Sequence, residues 1–155
     1  MDNVPEQRFF IMFNTKKIYI VTIQLIILLF SYAAAADIYI KDYKTNRRTY
    51  AFDGTYIKNY VNNKRLYSLD RQYIVNYSSN KRIYIFDGTY VIDYATNKRL
   101  LELKDKYVVD YKTNKRLLEF TGYKVKDYKS NRIIIEYTGI MPRVLVALIT
   151  LKMLQ

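Results

Sequence analysis

The residues of this chain that can do chemistry are cations and tyrosines, and both recur at a fixed spacing. An Asn followed by basic residues stands at Asn46-Arg47-Arg48, Asn63-Lys64-Arg65, Asn80-Lys81-Arg82, Asn97-Lys98-Arg99, Asn114-Lys115-Arg116 and Asn131-Arg132, each 17 residues after the last. Three positions before each Asn stands a tyrosine: Tyr43, Tyr60, Tyr77, Tyr94, Tyr111 and Tyr128. Regularly spaced cations hold an anionic polymer by charge attraction that weakens as salt rises. Tyrosine rings give stacking faces to sugars, nucleobases or guanidinium groups. With 26 Lys plus Arg against 14 Asp plus Glu the chain carries a formal +12, so the partner expected on charge is anionic. The plainer alternative is that charged turns keep a flat sheet soluble and stop edge-to-edge pairing, while the tyrosines pack.

The same inventory excludes much. The chain has no Cys, His or Trp, which removes disulfides, thiolate and imidazole metal ligands and every Ser-His or Cys-His nucleophile pair. Asp42, Asn59, Asn76, Asp93, Asp110 and Asp127 form an acidic column, with Asp53, Asp70 and Asp87 at turns. No Asp-x-Asp-x-Asp calcium loop is present and Asn replaces Asp twice, so no metal and no cofactor is expected. Asn76-Tyr77-Ser78 matches a glycosylation acceptor but falls inside an expected strand.

The elements that must position these residues follow from the repeat. Residues 38–139 read as six tandem copies of a 17-residue unit: Tyr-(Ile/Val)-x-(Asp/Asn)-Tyr, a polar x-Thr-Asn-Lys stretch, Arg-Leu-(Tyr/Leu)-x-(Phe/Leu), then Asp-Gly-Thr or a variant. Tyr, Ile and Val favour pleated strands, and short alternating segments bounded by Asn and Gly are hairpin signals. The fold class is therefore all-β, an antiparallel meander of about 12 short strands. Because 17 is odd, plain alternation would send each position to the opposite face in successive copies. Unequal turns resolve this: two five-residue strands, a four-residue turn such as 95–98 and a three-residue turn such as 87–89, with Gly54, Gly88 and Gly122 supplying positive φ.

In that register one face carries an alternating Tyr–Arg ladder (Tyr60, Arg65, Tyr77, Arg82, Tyr94, Arg99, Tyr111, Arg116) beside an apolar stripe (Tyr56, Leu69, Tyr73, Phe86, Tyr90, Leu103, Tyr107, Phe120). The opposite face carries Ile57, Ile74, Val91, Val108 and Val125 among the acidic column, with Glu102, Glu119 and Glu136, and reads as mixed. The basic pairs fall on one sheet edge, successive pairs roughly 10 Å apart, as a cationic ridge. Lipid-spanning strands need about 9 to 11 residues, so an outer-membrane barrel is disfavoured. A small soluble barrel, a propeller-like arrangement and a twisted sheet remain open, and the elongated twisted sheet is the expected form.

Flanking the repeats, residues 1–36 place Arg8, Lys16 and Lys17 before an apolar run at 18–30 and then small residues at 33–36, the order of a secretory signal. An uncleaved membrane anchor is the alternative, although the run falls short of the roughly 20 apolar residues a spanning helix needs. The expected location is thus outside the cytoplasm: secreted, periplasmic or at the cell surface. In residues 140–155, Pro142 breaks the pattern and an apolar stretch at 144–151 is expected to cap the last hairpin, or else to form a subunit contact.

The centre of the unit, as in Tyr-Lys-Thr-Asn-Lys-Arg-Leu-Leu-Glu-Phe from Tyr111, resembles the short Tyr-x-x-Asn-Gly-(Lys)-Leu hairpin repeats of bacterial MORN-like proteins. Lys or Arg stands here where those repeats carry Gly. The resemblance covers the repeat region and implies an interaction scaffold of consecutive hairpins. The function expected is a secreted, non-enzymatic binding or adhesion module for an anionic glycan or cell-envelope polymer. A self-associating scaffold that binds protein is the second reading, and no small-molecule substrate is expected.

Overall fold

The computed structural model describes Ile38–Leu154, so the leader read at 1–36 lies outside the described residues. Its strands are β1 (Ile38–Asp42), β2 (Arg48–Phe52), β3 (Tyr56–Asn59), β4 (Arg65–Asp70), β5 (Tyr73–Asn76), β6 (Lys81–Phe86), β7 (Tyr90–Asp93), β8 (Arg99–Lys104), β9 (Tyr107–Asp110), β10 (Arg116–Thr121), β11 (Lys124–Asp127) and β12 (Ile133–Tyr137), followed by the helix α1 (Arg143–Thr150). Each strand pairs antiparallel with its neighbours in sequence, and β12 returns to pair with β1. The sheet is a closed twelve-stranded barrel, which replaces the elongated open sheet expected above. Closure also leaves no unpaired edge among the described strands.

The turns are unequal, as an odd repeat requires, but the residue count falls differently. In the fourth unit a four-residue strand β7 leads through a five-residue turn to the six-residue β8, and a two-residue turn leads on to β9. The extra residue sits in a β-bulge. Tyr90 faces Glu102 and Val91 faces Leu101, but Ile92 faces Arg99, so Leu100 has no opposite number. The same shift occurs in all six long-turn hairpins. A one-residue slip flips a side chain to the other face.

This slip corrects the expected faces. Tyr56 opposes Ser68 rather than Leu69. The expected apolar stripe is therefore divided, with Leu69, Phe86, Leu103 and Phe120 packed on the core and the tyrosines alternating outward. The column expected on a mixed face is the innermost of all: Ile57, Ile74, Val91, Val108 and Val125 are at most 1% exposed. Glu102 and Glu119 lie opposite Tyr90 and Tyr107 on the outer face.

A barrel of eight strands is just wide enough for its own side chains to fill, and diameter grows with strand number. Twelve strands leave a lumen, and here α1 occupies it. Val144, Leu145, Val146, Ala147, Leu148 and Ile149 are consecutive, so they point in every direction around the helix, and all are buried. They share one apolar cluster with residues from all twelve strands, among them Ile40, Phe52, Tyr67, Tyr84, Leu101, Leu118 and Ile135. A helix with its side chains measures about 10–12 Å across, a suitable plug. The 144–151 stretch is thus the barrel's core rather than a cap on one hairpin.

Nothing local accounts for this helix. Eight residues are too few for independent stability, Pro142 provides no side-chain cap, and the first turn contains no acid. Packing holds it, together with a hydrogen bond from the Tyr84 hydroxyl to the Met153 carbonyl at 3.1 Å. At its start the Arg143 guanidinium lies 4.5 Å from the centre of the Phe120 ring. The chain enters the lumen past Gly139 (φ +63), where an added Cβ would come within 2.8 Å of Ile38 Cγ1.

Because the lumen filling is shared by every strand, Leu148→Ala should destabilise the whole barrel in one cooperative transition. A loss of about 2–5 kcal/mol in urea unfolding is the expected result. A loss below about 1 kcal/mol would place Leu148 outside a packed core.

Candidate functional site

In an up-and-down meander all turns after odd-numbered strands lie at one end of the barrel. The five-residue turns therefore gather at one rim, and the short turns at the other. Arg47, Lys64, Lys81, Lys98, Lys115 and Arg132 sit on the long-turn rim, one per unit, and all are exposed. Among the described residues none of the six has an ion-pair partner; the pairs formed are Lys41–Glu136, Lys58–Asp53 and Lys106–Glu119. The cationic ridge expected along a sheet edge is in fact a ring.

The second basic residue of each pair does something different. Arg65 lies 4.1 Å from the centre of the Tyr56 ring and donates from Nη1 to the Tyr77 hydroxyl at 3.3 Å. Tyr56 and Tyr77 meet edge to face at 5.5 Å. The same triad recurs as Tyr39–Arg48–Tyr60, Tyr73–Arg82–Tyr94, Tyr90–Arg99–Tyr111 and Tyr107–Arg116–Tyr128, with Arg-to-ring distances of 4.0 to 4.2 Å. Each hydroxyl that accepts from an Arg raises an already high pKa: Tyr60 for Arg48, Tyr77 for Arg65, Tyr94 for Arg82, Tyr111 for Arg99 and Tyr128 for Arg116. The girdle stays charged at any working pH.

The Tyr–Arg ladder expected from the sequence is thus found on one side only. Arg65 reaches Tyr77 as expected, but it stacks on Tyr56, nine residues earlier, rather than on Tyr60. Tyr39, Tyr56, Tyr73, Tyr90 and Tyr107 are the partners that the expected ladder left out, and the constant Tyr-to-Arg spacing of nine is the signal that marks them. Of the expected aromatic face, Tyr43, Tyr77, Tyr94, Tyr111 and Tyr128 are about 42–45% exposed, and Tyr60 is half-buried. Tyr43 alone of the six meets no Arg; Lys124 Nζ lies 5.5 Å from its ring centre instead.

The rim is held by its turns. Asn46, Asn63, Asn80, Asn97, Asn114 and Asn131 all adopt φ between 53 and 58°, the left-handed conformation that Asn tolerates better than most residues. This is the physical reason for the Asn column, and it places the following Lys and Arg. The acidic column serves the same turns: Asp93 Oδ1 accepts from both the Thr96 amide and the Thr96 hydroxyl at 2.7 Å. Asn59 and Asn76 make the equivalent amide-capping bonds in their own units. These carboxylates face their own backbone, and among the described residues no group of three His, Cys, Asp or Glu is placed to hold a metal.

Comparison with protein-family models, curated proteins and solved structures returned no match for this chain. The geometry alone therefore carries the functional argument.

The hydrogen bonds from Thr45, Thr96, Thr113 and Ser130 hold the carboxyls of Asp42, Asp93, Asp110 and Asp127 below the usual carboxylate range. A lowered folded-state pKa stabilises the fold above the unfolded value of about 3.9, and that contribution is lost as pH falls through the folded value. Converting all four to Asn, as units two and three already have, should keep the turns and flatten the loss of stability between pH 7 and pH 3. Asp93→Ala should cost about 1 kcal/mol at pH 7. Urea midpoints at the two pH values measure both, and an unchanged acid slope in the fourfold Asn variant would contradict the assignment.

Proposed function

We propose that the barrel is a non-enzymatic binding module that engages an anionic glycan or similar polymer through the long-turn rim, and that it acts outside the cytoplasm. The observation that carries this reading is the ring of six exposed cations without ion-pair partners among the described residues. Charges in a closed ring on rigid turns present a fixed array, so binding loses little conformational freedom on the protein side. The leader expected at 1–36 supports the location. The absence of Cys and His throughout the sequence supports a binding role over nucleophilic catalysis.

The second reading, a scaffold of copies stacked through their hairpins, would draw on free strand edges. The pairing of β1 with β12 leaves none among the described strands, so the observations favour the cationic rim.

The test is retention on a heparin column. Arg82 and Arg99 are committed to the girdle, so the informative substitutions are Lys81→Gln and Lys98→Gln, which remove rim charge without touching the stacks. Retention should fall, and the slope of log affinity against log salt should drop by about one per lysine. Equal retention of the double variant and the unaltered protein would overturn the reading.

A further inference from the structure

Going round the barrel, the girdle has six places and only five triads. The sixth lies at the seam where β11 and β12 meet β1, and closure brings Tyr43, Lys124 and Ile133 to the positions held elsewhere by Tyr, Tyr and Arg. With Ile133 in place of the Arg, no guanidinium fills the space against Tyr43. A shallow groove of about 770 Å³, open to solvent, lies there, lined by Tyr43, Lys44, Lys126, Asn131, Arg132 and Ile133. The corresponding hollow beside the intact triad at Arg82 and Tyr94 measures about 430 Å³.

Charge concentrates at the same place. The residue after the rim tyrosine is Lys44, Lys112 and Lys129 in units one, five and six, but Val61, Ser78 and Ala95 in units two to four. The residue after the innermost apolar position is Lys41, Lys58 and Lys126 in units one, two and six, against Val75, Ile92 and Val109 in the others. In the linear sequence Lys41 and Lys44 stand at the opposite end of the repeat region from Lys126. In the closed barrel they flank one seam. Glu136 pairs with Lys41 and Glu119 with Lys106, so among the described residues Lys44, Lys126 and Arg132 form no ion pair, although Glu119 stands across the strand pair from Lys126 and Asp42 lies near Lys44.

We infer that the seam groove is a discrete binding site for a single sulfated or phosphorylated sugar unit, its ring laid on Tyr43 and its anionic groups met by Lys44, Lys126 and Arg132. This rests on the proposed polyanion reading and sharpens it from a ring of equivalent positions to one preferred place. Tyr43 is 43% exposed, with Lys124 Nζ 5.5 Å from its ring centre, and the exposed part of the ring face supplies stacking. Cations on more than one side of that face suit a ligand with charges spread around its ring. A nucleobase, whose charge lies on the backbone phosphate, suits it less.

The experiment completes the broken triad. Lys124→Tyr with Ile133→Arg fills the groove with the side chains the other five places carry, and circular dichroism with thermal unfolding confirms the barrel. Titration with a sulfated heparin disaccharide should show one site per chain in the unaltered protein. Affinity should fall by about tenfold or more in the filled variant, and by a similar factor in Lys44→Ala with Lys126→Ala, because one charge-assisted hydrogen bond is worth about a factor of ten. The filled variant loses a Lys and gains an Arg, so its net charge is unchanged; attraction by overall charge alone predicts unchanged binding, and binding that is unchanged or tighter overturns the site. Absence of disaccharide binding by the unaltered protein, or a preference for a short oligonucleotide at the seam, overturns it too. Retention of long heparin reports on the rim, so it separates failure of the groove from failure of the wider reading.

Discussion

A twelve-stranded cylinder cannot be filled by the side chains of its own wall, and the rest of this structure depends on how that space is occupied. Here α1 fills it with side chains on every side. Its presence turns the inward columns of twelve short strands into a single core, so strands of four to six residues, too short to be stable as separate hairpins, are held together. The dependence runs both ways, because an uncapped eight-residue helix persists only inside such a wall.

With the inside given over to aliphatic packing, all polar specialisation falls on the outside and on one rim. The bulge in each long-turn hairpin is the device that permits this. It accommodates an odd repeat without letting the inward column drift, and it aims Tyr and Arg outward, where they interlock from one unit to the next. The Arg residues thereby become structural parts of the surface. The Lys or Arg before each of them, carried on an Asn-centred turn, stands apart from the ion pairs and is the residue presented to solvent.

Much of this is readable from residue types. The 17-residue period, the antiparallel meander, the need for unequal turns and the gathering of cations at one edge follow from spacing alone. Three things do not follow. Closure depends on the pairing of Ile40 with Tyr137, a contact that periodicity within a unit does not encode. The bulge at Leu100 and its equivalents moves the pairing by one residue, enough to put Leu69 and Tyr56 on opposite faces, and an apolar Leu there reads as ordinary alternation. The apolar stretch from 144 has the composition of either a cap or a core, and only a lumen of the right width distinguishes them. The seam site is hidden for the first of these reasons, since Lys44 and Lys126 come to line one groove only when the ring closes.

The central claim is that the ring is closed, and one backbone hydrogen bond tests it most directly. The amides of Tyr60, Tyr77, Tyr94, Tyr111 and Tyr128 each donate to the carbonyl eleven residues earlier, and at the seam Tyr43 donates to the Ile134 carbonyl at 2.9 Å. Amide hydrogen exchange followed by NMR compares them in a single sample. Closure predicts that the Tyr43 amide is protected to the same order as the other five; exchange of Tyr43 at the rate of an open strand edge, with the others protected, would contradict it.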